Sequence, residues 1–591
     1  MSTQKTTQHP WIALFCAVFL MAAGCGESPK PAANKEAGKA TAAVAKKAKG
    51  LETPADLLIY AGMTSPFETL SSLSKVANIV QPGVPDFSMM APPMLQNEFR
   101  LASPAGIDLK KSIAFALFDQ NTYGRDPSAT LIGMVDQAKF VASLPKTEQK
   151  QNDEGNAYSY KKRAGAKVPV YVNFIGQHAV LTRHKDLFNA KKGFLETLSK
   201  HKFKKQGSVV VKAQAAYKSQ EKVLKKNLSR AKQQMSRQMA KNPGAGNADF
   251  ITDAIDDIPS VLEQLESGEF VLGVNDKGLT FAFSVTAIAG TNAAQLFNGF
   301  AGTEHQLVKE GHKDAVAFAS LAIASTDGMV SLVKKAANFS ASALEMAAKV
   351  DKALIEKTKS LILNSQSAMN GQYYFSVHPA AGQMGIALSA LAGIKDKASA
   401  QAMIAESIKV AKELTAAMQV NPEFAKVASA IVPAYQENAY TVAGEPVMVV
   451  KQNVGTNDPV AAMFGGLMQQ HVVVSNGVMA TAYGPDGKAE LERLVKRQPS
   501  GLDKTPALTE LQALGYAQPF GYASISPIKL LQTVKLGGMN PFAAAVAGMA
   551  PQGNLGFVMD AGADQMGLAI NIPVALLKDG MAAFMKIKGG M

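Results

Sequence analysis

The sequence predicts an α+β fold built as two tandem homologous halves, each an antiparallel sheet packed with helices. Short segments alternate apolar and polar residues and are joined by turn residues, which is typical of hairpins with one buried face. Longer segments carry apolar residues at helical spacing. A set of short motifs also occurs twice in the same order, which indicates an internal duplication.

The first 24 residues predict a signal peptide. Residues 1–10 are polar, and residues 11–23 (WIALFCAVFLMAA) are uninterrupted apolar sequence. A permanent transmembrane helix needs about 20 apolar residues, so this run is too short to span a bilayer. It has the length of the apolar core of a secretory signal, and we expect residues 1–24 to be removed.

The end of that run, Ala22-Ala23-Gly24-Cys25, resembles the bacterial lipobox, although that motif usually has Leu at the position of Ala22. The resemblance implies a diacylglycerol thioether on Cys25, cleavage after Gly24 and, because Gly26 follows, an outer-membrane lipoprotein that faces the periplasm. An inner-membrane or cell-surface location stays open. The alternative is a plain secreted protein with a free thiol at Cys25.

Residues 25–50 follow as the lipidated cysteine and a flexible tether. Ala, Lys, Pro and Gly dominate this segment, which has too little apolar surface to fold. The chain has only two cysteines, Cys16 and Cys25. Removal of the leader therefore leaves no partner for a disulfide within the chain, and the body must be stabilised by packing.

The body divides into residues 51–305 and residues 306–591 as first and second α+β repeats. Three motifs recur in the same order in the two repeats. NAYS at residue 156 corresponds to NAYT at residue 438, PVYV at 169 corresponds to PVMV at 446, and QHAVL at 177 corresponds to QHVVV at 470. Each half also closes with a predicted hairpin, at residues 268–285 and 553–572. A helix is expected after each of these features, including residues 185–200 and 488–496.

A smaller unit of strand, Ser/Thr turn and amphipathic helix begins near residues 57, 209, 315 and 522. Ser65-Pro66 and Ser526-Pro527 predict helix starts, because serine caps the first amides and proline fits the first turn. Further helices are predicted at residues 218–241, 338–363 and 398–418, with a loop or break at residues 241–246.

The sequence predicts no catalytic residue, metal ligand set or cofactor site. No two of the eight histidines are three or four residues apart, and no cysteine is left for a soft metal site. The repeat alignment makes His178 and His471 equivalent at a strand start, and we interpret both as structural rather than as ligands or bases. The acidic cluster at residues 253–257 lacks the pattern of a calcium loop and indicates a helix.

Positive charge is concentrated between residues 160 and 241 of a chain whose net charge is +14. In the predicted helix at residues 218–241, we expect Lys222, Lys225, Lys226 and Arg230 to contact anionic lipid or envelope polysaccharide. The alternative is a solvated basic helix without a partner. Export makes nucleic acid an unsuitable partner.

These observations favour a non-enzymatic, membrane-anchored envelope lipoprotein with a binding or scaffolding role. One alternative is a carrier of lipid or another hydrophobic ligand in a groove between sheet and helices, since many of the 26 methionines occur near Gly and Ala. A second alternative is a hydrolase of envelope polymers, because catalytic groups converge in space rather than in sequence.

Overall fold

A computed structural model describes most of the chain after residue 50. The described residues are 51–145, 150–151, 158–161, 169–241, 248–324, 333–334, 337–338, 351–380, 385–420, 431–454, 469–484, 487–497, 501–534, 543–562 and 564–589. Residues 1–50, which hold the predicted signal peptide, Cys25 and the predicted tether, therefore lie outside them, as do residues 242–246 of the predicted loop or break, whereas Lys241 ends a helix.

Within these ranges the strands form one sheet of twenty members, all paired antiparallel. The first ten strands are β1 (Leu57–Met63), β2 (Ile113–Phe118), β3 (Ser128–Gly133), β4 (Lys150–Gln151), β5 (Tyr158–Tyr160), β6 (Val170–Ile175), β7 (His178–Thr182), β8 (Gly207–Val211), β9 (Leu265–Asn275) and β10 (Gly278–Ala287). The second ten are β11 (Ala317–Ala322), β12 (Met369–Pro379), β13 (Ile386–Ile394), β14 (Ile431–Val442), β15 (Glu445–Val454), β16 (Gln469–Ser475), β17 (Val478–Tyr483), β18 (Gly521–Ile525), β19 (Leu555–Ala561) and β20 (Gln565–Pro573).

The two sets of strands follow the same order in the sheet. The first set runs β4-β5-β6-β7-β3-β2-β1-β8-β9-β10. The second runs β14-β15-β16-β17-β13-β12-β11-β18-β19-β20, which is the first order with ten added to each number. The two last strands, β10 and β20, pair with each other from Gly278–Pro573 to Thr286–Gln565 and make the sheet continuous. The predicted α+β class with antiparallel strands is confirmed, and the two sets of strands share one sheet.

The motif alignment drawn from the sequence is displaced by one strand. PVYV lies at the start of β6, whereas PVMV lies in β15, and the strand order makes β16 the counterpart of β6. His178 begins β7, but His471 is the third residue of β16, so the predicted equivalence of the two histidines is wrong. Short alternating strands resemble one another in several registers, and a motif match cannot choose among them.

The helices of the first half are α1 (Pro66–Val80), α2 (Phe87–Phe99), α3 (Gln120–Tyr123), α4 (Gln137–Ala142), α5 (Lys185–Ser199), α6 (Ala213–Lys241), α7 (Ala248–Glu263) and α8 (Asn292–Gly299). Those of the second are α9 (Lys352–Ala368), α10 (Lys397–Val420), α11 (Gly487–Val495), α12 (Pro506–Gln512), α13 (Pro527–Thr533), α14 (Ala543–Val546) and α15 (Val574–Gly589), with 3₁₀ turns at Leu307–Glu310 and Leu502–Lys504.

The structure confirms the helices predicted at residues 185–200, 218–241, 398–418 and 488–496, and it places the acidic cluster of residues 253–257 in α7. Of the helix predicted at residues 338–363, residues 339–350 lie outside the described residues, and α9 covers residues 352–363.

The two predicted serine caps differ. Ser65 accepts a hydrogen bond from the Glu68 amide at the start of α1, as expected. Ser526 precedes α13 but makes no side-chain cap, because its hydroxyl instead donates to the Gly553 carbonyl in the interior. Because Ser526 is buried, its hydroxyl bonds to a carbonyl in the interior and not to the first amides of the helix. No helix among the described residues combines the length and apolar character needed to cross a bilayer.

Each half has its main core on one side of the sheet. In the first half, the inward residues of β2 and β3 pack against Leu187, Leu195 and Leu198 of α5. In the second, β12, β13 and β17 pack against Leu491 and Leu494 of α11 and against α12. Since strand side chains alternate between the faces, the second face presents its own row of side chains.

Candidate functional site: an apolar sheet face and a histidine cluster

Apolar side chains cover the face of the sheet opposite α11 and α12. Strand register places Phe283, Leu568, Met559 and Leu321 in one line across β10, β20, β19 and β11, with Gly521 of β18 between the last two. A neighbouring line contains Phe281, Ile570, Phe557, Ala523, Ala319 and Phe375. We call these two lines the open face. Their large side chains are half-buried, and Phe375 is 41% exposed.

Helices contact this side of the sheet around its border. At one end of β10, Leu279 packs with Leu73 and Val76 of α1. At the other end of β10, Val285 packs with Phe297 of α8. Phe281 and Phe283 lie between these two contacts on the same strand. The sheet therefore forms the floor of a groove whose rim is helical.

A third helix, α10, borders the open face in the second half. Its residues Met403 and Ile404 pack with Tyr373 and Met479. A cavity of about 230 Å³ lies beside this contact, and its lining includes Leu321, Tyr373, Phe375, Ala390 and Met479. An apolar site of this kind suits a hydrocarbon chain or an apolar side chain better than a polar ligand.

Phenylalanine rings group on the first half of this face. The ring of Phe270 on β9 lies 4.8 Å from that of Phe283 and 6.1 Å from that of Phe281, measured between centroids. Rings at these separations stabilise one another, and all three are only half-buried. The group lies where the two sets of strands meet.

The predicted basic helix α6 presents its positive charge to solvent. Lys222, Lys225, Lys226 and Arg230 are all exposed. Their spacing of three and four residues places them on one side of the helix. Lys225 also pairs with Glu221, with 2.6 Å between Nζ and Oε1. Toward α7, Lys232 forms an ion pair with Asp256.

A histidine cluster lies beneath the opposite face. Tyr374, Ser376 and His378 alternate along β12 and point toward the core of the second half. The turn before β11 crosses this end of the strand and carries His312, whose ring stacks on that of His378 at 4.4 Å between centroids and 4° between planes. Gly311 permits the crossing, because a Cβ there would collide with the Tyr374 hydroxyl.

Helix α11 contributes a carboxylate to the cluster. One nitrogen of each imidazole and one Glu490 oxygen lie within 4.8 Å of one another. Arg493 donates to both Glu490 oxygens at 2.9 and 2.7 Å, and its Nη1 donates to the Glu310 carbonyl at 2.8 Å. Arg497 donates from Nε to Glu310 Oε1 at 2.7 Å. These bonds join α11 to the turn that precedes β11.

The surroundings fix the charges of the cluster. Burial lowers the pKa of His312 and lowers that of His378 to about 4, so both rings are neutral at neutral pH. Burial opposes ionisation of Glu490, but hydrogen bonds and charge from Arg493 outweigh it and hold the pKa of Glu490 below its usual value. His378 is 4% exposed, and its Nδ1 has no hydrogen-bond partner.

Other buried histidines have bonding partners. His305 bonds to Ser320 Oγ and to the Pro519 carbonyl, each at 2.8 Å. His178 lies 2.9 Å from Ser112 Oγ, measured from Nε2. His471 Nδ1 lies 2.8 Å from the Tyr440 hydroxyl, whereas its Nε2, like Nδ1 of His378, is buried without a hydrogen-bond partner. These pairs link neighbouring segments of the fold.

Sequence reasoning located the basic helix but missed the histidine cluster. His312 lies in the turn before β11, His378 lies near the end of β12, and Glu490 lies on helix α11. These positions are far apart in the sequence, so no local spacing joins them. No pattern in the sequence points to the cluster, because the pairing of β11 with β12, which brings the turn before β11 beside His378, is a tertiary contact. The lipidation prediction for Cys25 lies outside the described residues.

Comparison with protein-family models, with curated proteins and with solved structures finds no match for this chain.

Proposed function

We propose that this protein is an envelope lipoprotein, held to a membrane through acyl chains on Cys25, which binds an apolar ligand on the open face without catalysing a reaction. The open face is the observation that carries the binding role. Half-buried aromatic and aliphatic side chains continue across six strands, and helices border them on three sides. Apolar side chains that stay partly exposed over an area of this extent are costly unless they serve a contact.

A hydrocarbon chain is the ligand that best fits this face. The two lines of the open face are long, narrow and apolar, and they contain no charged side chain. Binding there would be driven by the removal of apolar area from water, at about 25 cal/mol per Å². Of the roles considered from the sequence, the carrier of a hydrophobic ligand is thus favoured over a pure scaffold.

The membrane attachment rests on the sequence of the leader. Acyl chains contribute about 0.8 kcal/mol for each buried methylene, so two or three chains give lasting attachment. The exposed basic residues of α6 would add attraction to anionic head groups or polysaccharide. A body on a flexible tether could then approach the bilayer that supplies its ligand.

We also infer that the body arose by duplication. The identical strand order of the two sets supports this, and so do the corresponding closing hairpins, β9–β10 and β19–β20. The pairing of β10 with β20 would then join the two copies, which makes the groove a product of both.

A fluorescent fatty acid provides the test of binding. We expect dansyl-undecanoate to bind the purified protein saturably. Phe283→Asp should weaken binding by about 10-fold or more, since it replaces roughly 2 kcal/mol of apolar contact by a charge. Phe584→Asp is the matched control, because Phe584 is 57% exposed on α15 and is not part of the open face.

Two results would contradict the proposal. One is the absence of saturable binding by the unaltered protein. The other is equal affinity of the Phe283→Asp variant when its circular dichroism shows a folded protein. For the anchor, Cys25→Ser should move the protein from the detergent phase to the aqueous phase on phase partitioning, and retention in the detergent phase would exclude lipid at Cys25.

A further inference from the structure

We propose that His312, His378 and Glu490 form a binding site for a borderline divalent transition-metal ion, with Zn²⁺ as the representative. Two neutral imidazoles and an ionised carboxylate are the donor set of many three-ligand zinc sites. Each residue comes from a different element: the turn before β11, the end of β12 and helix α11. The site would therefore tie together three segments of the second half.

The unpartnered nitrogen of His378 is the independent observation that points to a ligand. A buried polar atom without a hydrogen bond costs about 1–3 kcal/mol, and native proteins rarely leave one without a reason. His378 is 4% exposed and Glu490 is 9% exposed, so neither is a freely solvated surface group. Donation to a metal would satisfy the imidazole.

Arg493 has the position of an outer-shell partner. A carboxylate oxygen has two lone pairs, and each Glu490 oxygen uses one of them for Arg493. A lone pair on each oxygen remains for an ion. Hydrogen bonds of this kind orient ligating carboxylates and are a regular part of metal sites.

Binding requires one imidazole to turn. An imidazole donates in its own plane, and two parallel rings cannot both direct a lone pair at a single ion. His312 is the ring placed to turn, because it is half-buried in a turn while His378 is fixed in a strand. Its Nδ1 would give up a 3.2 Å hydrogen bond from the Asp314 amide.

The charge balance limits the affinity. Glu490 and Glu310 are paired with Arg493 and Arg497, so the surroundings of the ion are nearly neutral. A divalent ion gains less there than among several carboxylates, and we expect micromolar dissociation constants. Nitrogen donors also favour Zn²⁺ and Co²⁺ over Ca²⁺ and Mg²⁺, which prefer oxygen.

Metal titration of the purified, chelator-treated full chain tests the site. We expect one Zn²⁺ per chain by calorimetry, visible absorption bands on addition of Co²⁺, and no heat with Ca²⁺ or Mg²⁺. His312→Ala and Glu490→Gln should each weaken Zn²⁺ binding by about 10- to 100-fold. His184→Ala, which removes a histidine of the first half, should leave Zn²⁺ binding unchanged.

His312→Ala is the decisive variant, because a half-buried turn residue can be truncated with little risk to folding. His378→Ala should also abolish the Co²⁺ bands, with circular dichroism as the check of its fold. The proposal is overturned if the unaltered protein binds no Zn²⁺ at millimolar concentration. It is equally overturned if His312→Ala binds Zn²⁺ as tightly as the unaltered protein does.

Discussion

Replacement of Arg493 by methionine tests whether the ion pairs of α11 hold the second half together. Methionine keeps most of the apolar stem but removes two hydrogen bonds to Glu490 and one to the Glu310 carbonyl. The Glu490 side chain, 10% exposed, would remain as an uncompensated buried charge. Loss of one partner of a buried pair costs about 3–5 kcal/mol, and we expect a decrease of that size in the free energy of unfolding.

Urea denaturation followed by far-UV circular dichroism measures this decrease at neutral pH. The matched control is Lys225→Met, which breaks an exposed helical pair with Glu221 and should cost less than about 1 kcal/mol. The double variant Glu490→Gln with Arg493→Met should recover much of the stability, because it removes the unpaired charge. The reasoning is refuted if Arg493→Met is as stable as the control, or if the double variant is less stable than Arg493→Met.

Two further predictions concern charge. Burial lowers the pKa of His378 from 6.5 to about 4, so the unfolded chain binds more protons than the native protein in that interval. Stability should therefore fall as the pH is lowered from about 6.5 to 4, by up to about 3 kcal/mol, and His378→Gln should reduce that dependence in urea midpoints measured against pH. On α6, the combined substitutions Lys222→Glu, Lys226→Glu and Arg230→Glu should abolish co-sedimentation with anionic liposomes at low salt. The control Lys352→Glu on α9 should leave co-sedimentation unchanged. If the α6 variant also co-sediments as before, the helix is only solvated.

The helices show how much local pattern determines. Residues 185–199 and 397–420 form helices close to the predicted bounds, since apolar residues at helical spacing can bury one side only in that conformation. The hairpin at Asn275–Gly278 was equally predictable, because Asn275 accepts hydrogen bonds from the two amides that close the turn. These helices and this turn depend on interactions between residues that are close together in the sequence.

Register and long-range contact could not be predicted in this way. PVYV and PVMV look equivalent but lie in strands that are not counterparts, because a two-residue periodicity fits any neighbouring strand. Ser526 has the sequence of a helix cap, yet it donates to Gly553, 27 residues away, because that carbonyl lies in the same buried space. The histidine cluster could not be predicted for the same reason, because its residues are distant in sequence and meet only in the folded protein.

The sequence by itself determined that the body mixes helices with antiparallel strands, that a short apolar segment precedes Cys25, and that positive charge lies along one side of α6. Those properties follow from periodicity and composition. Only the tertiary structure decided that twenty strands join in one sheet through β10 and β20, and that Phe281 and Phe283 lie between the bordering helices. Only it could bring His312, His378 and Glu490 together, because contacts between distant segments depend on the order in which strands pair, and a local pattern leaves that order open.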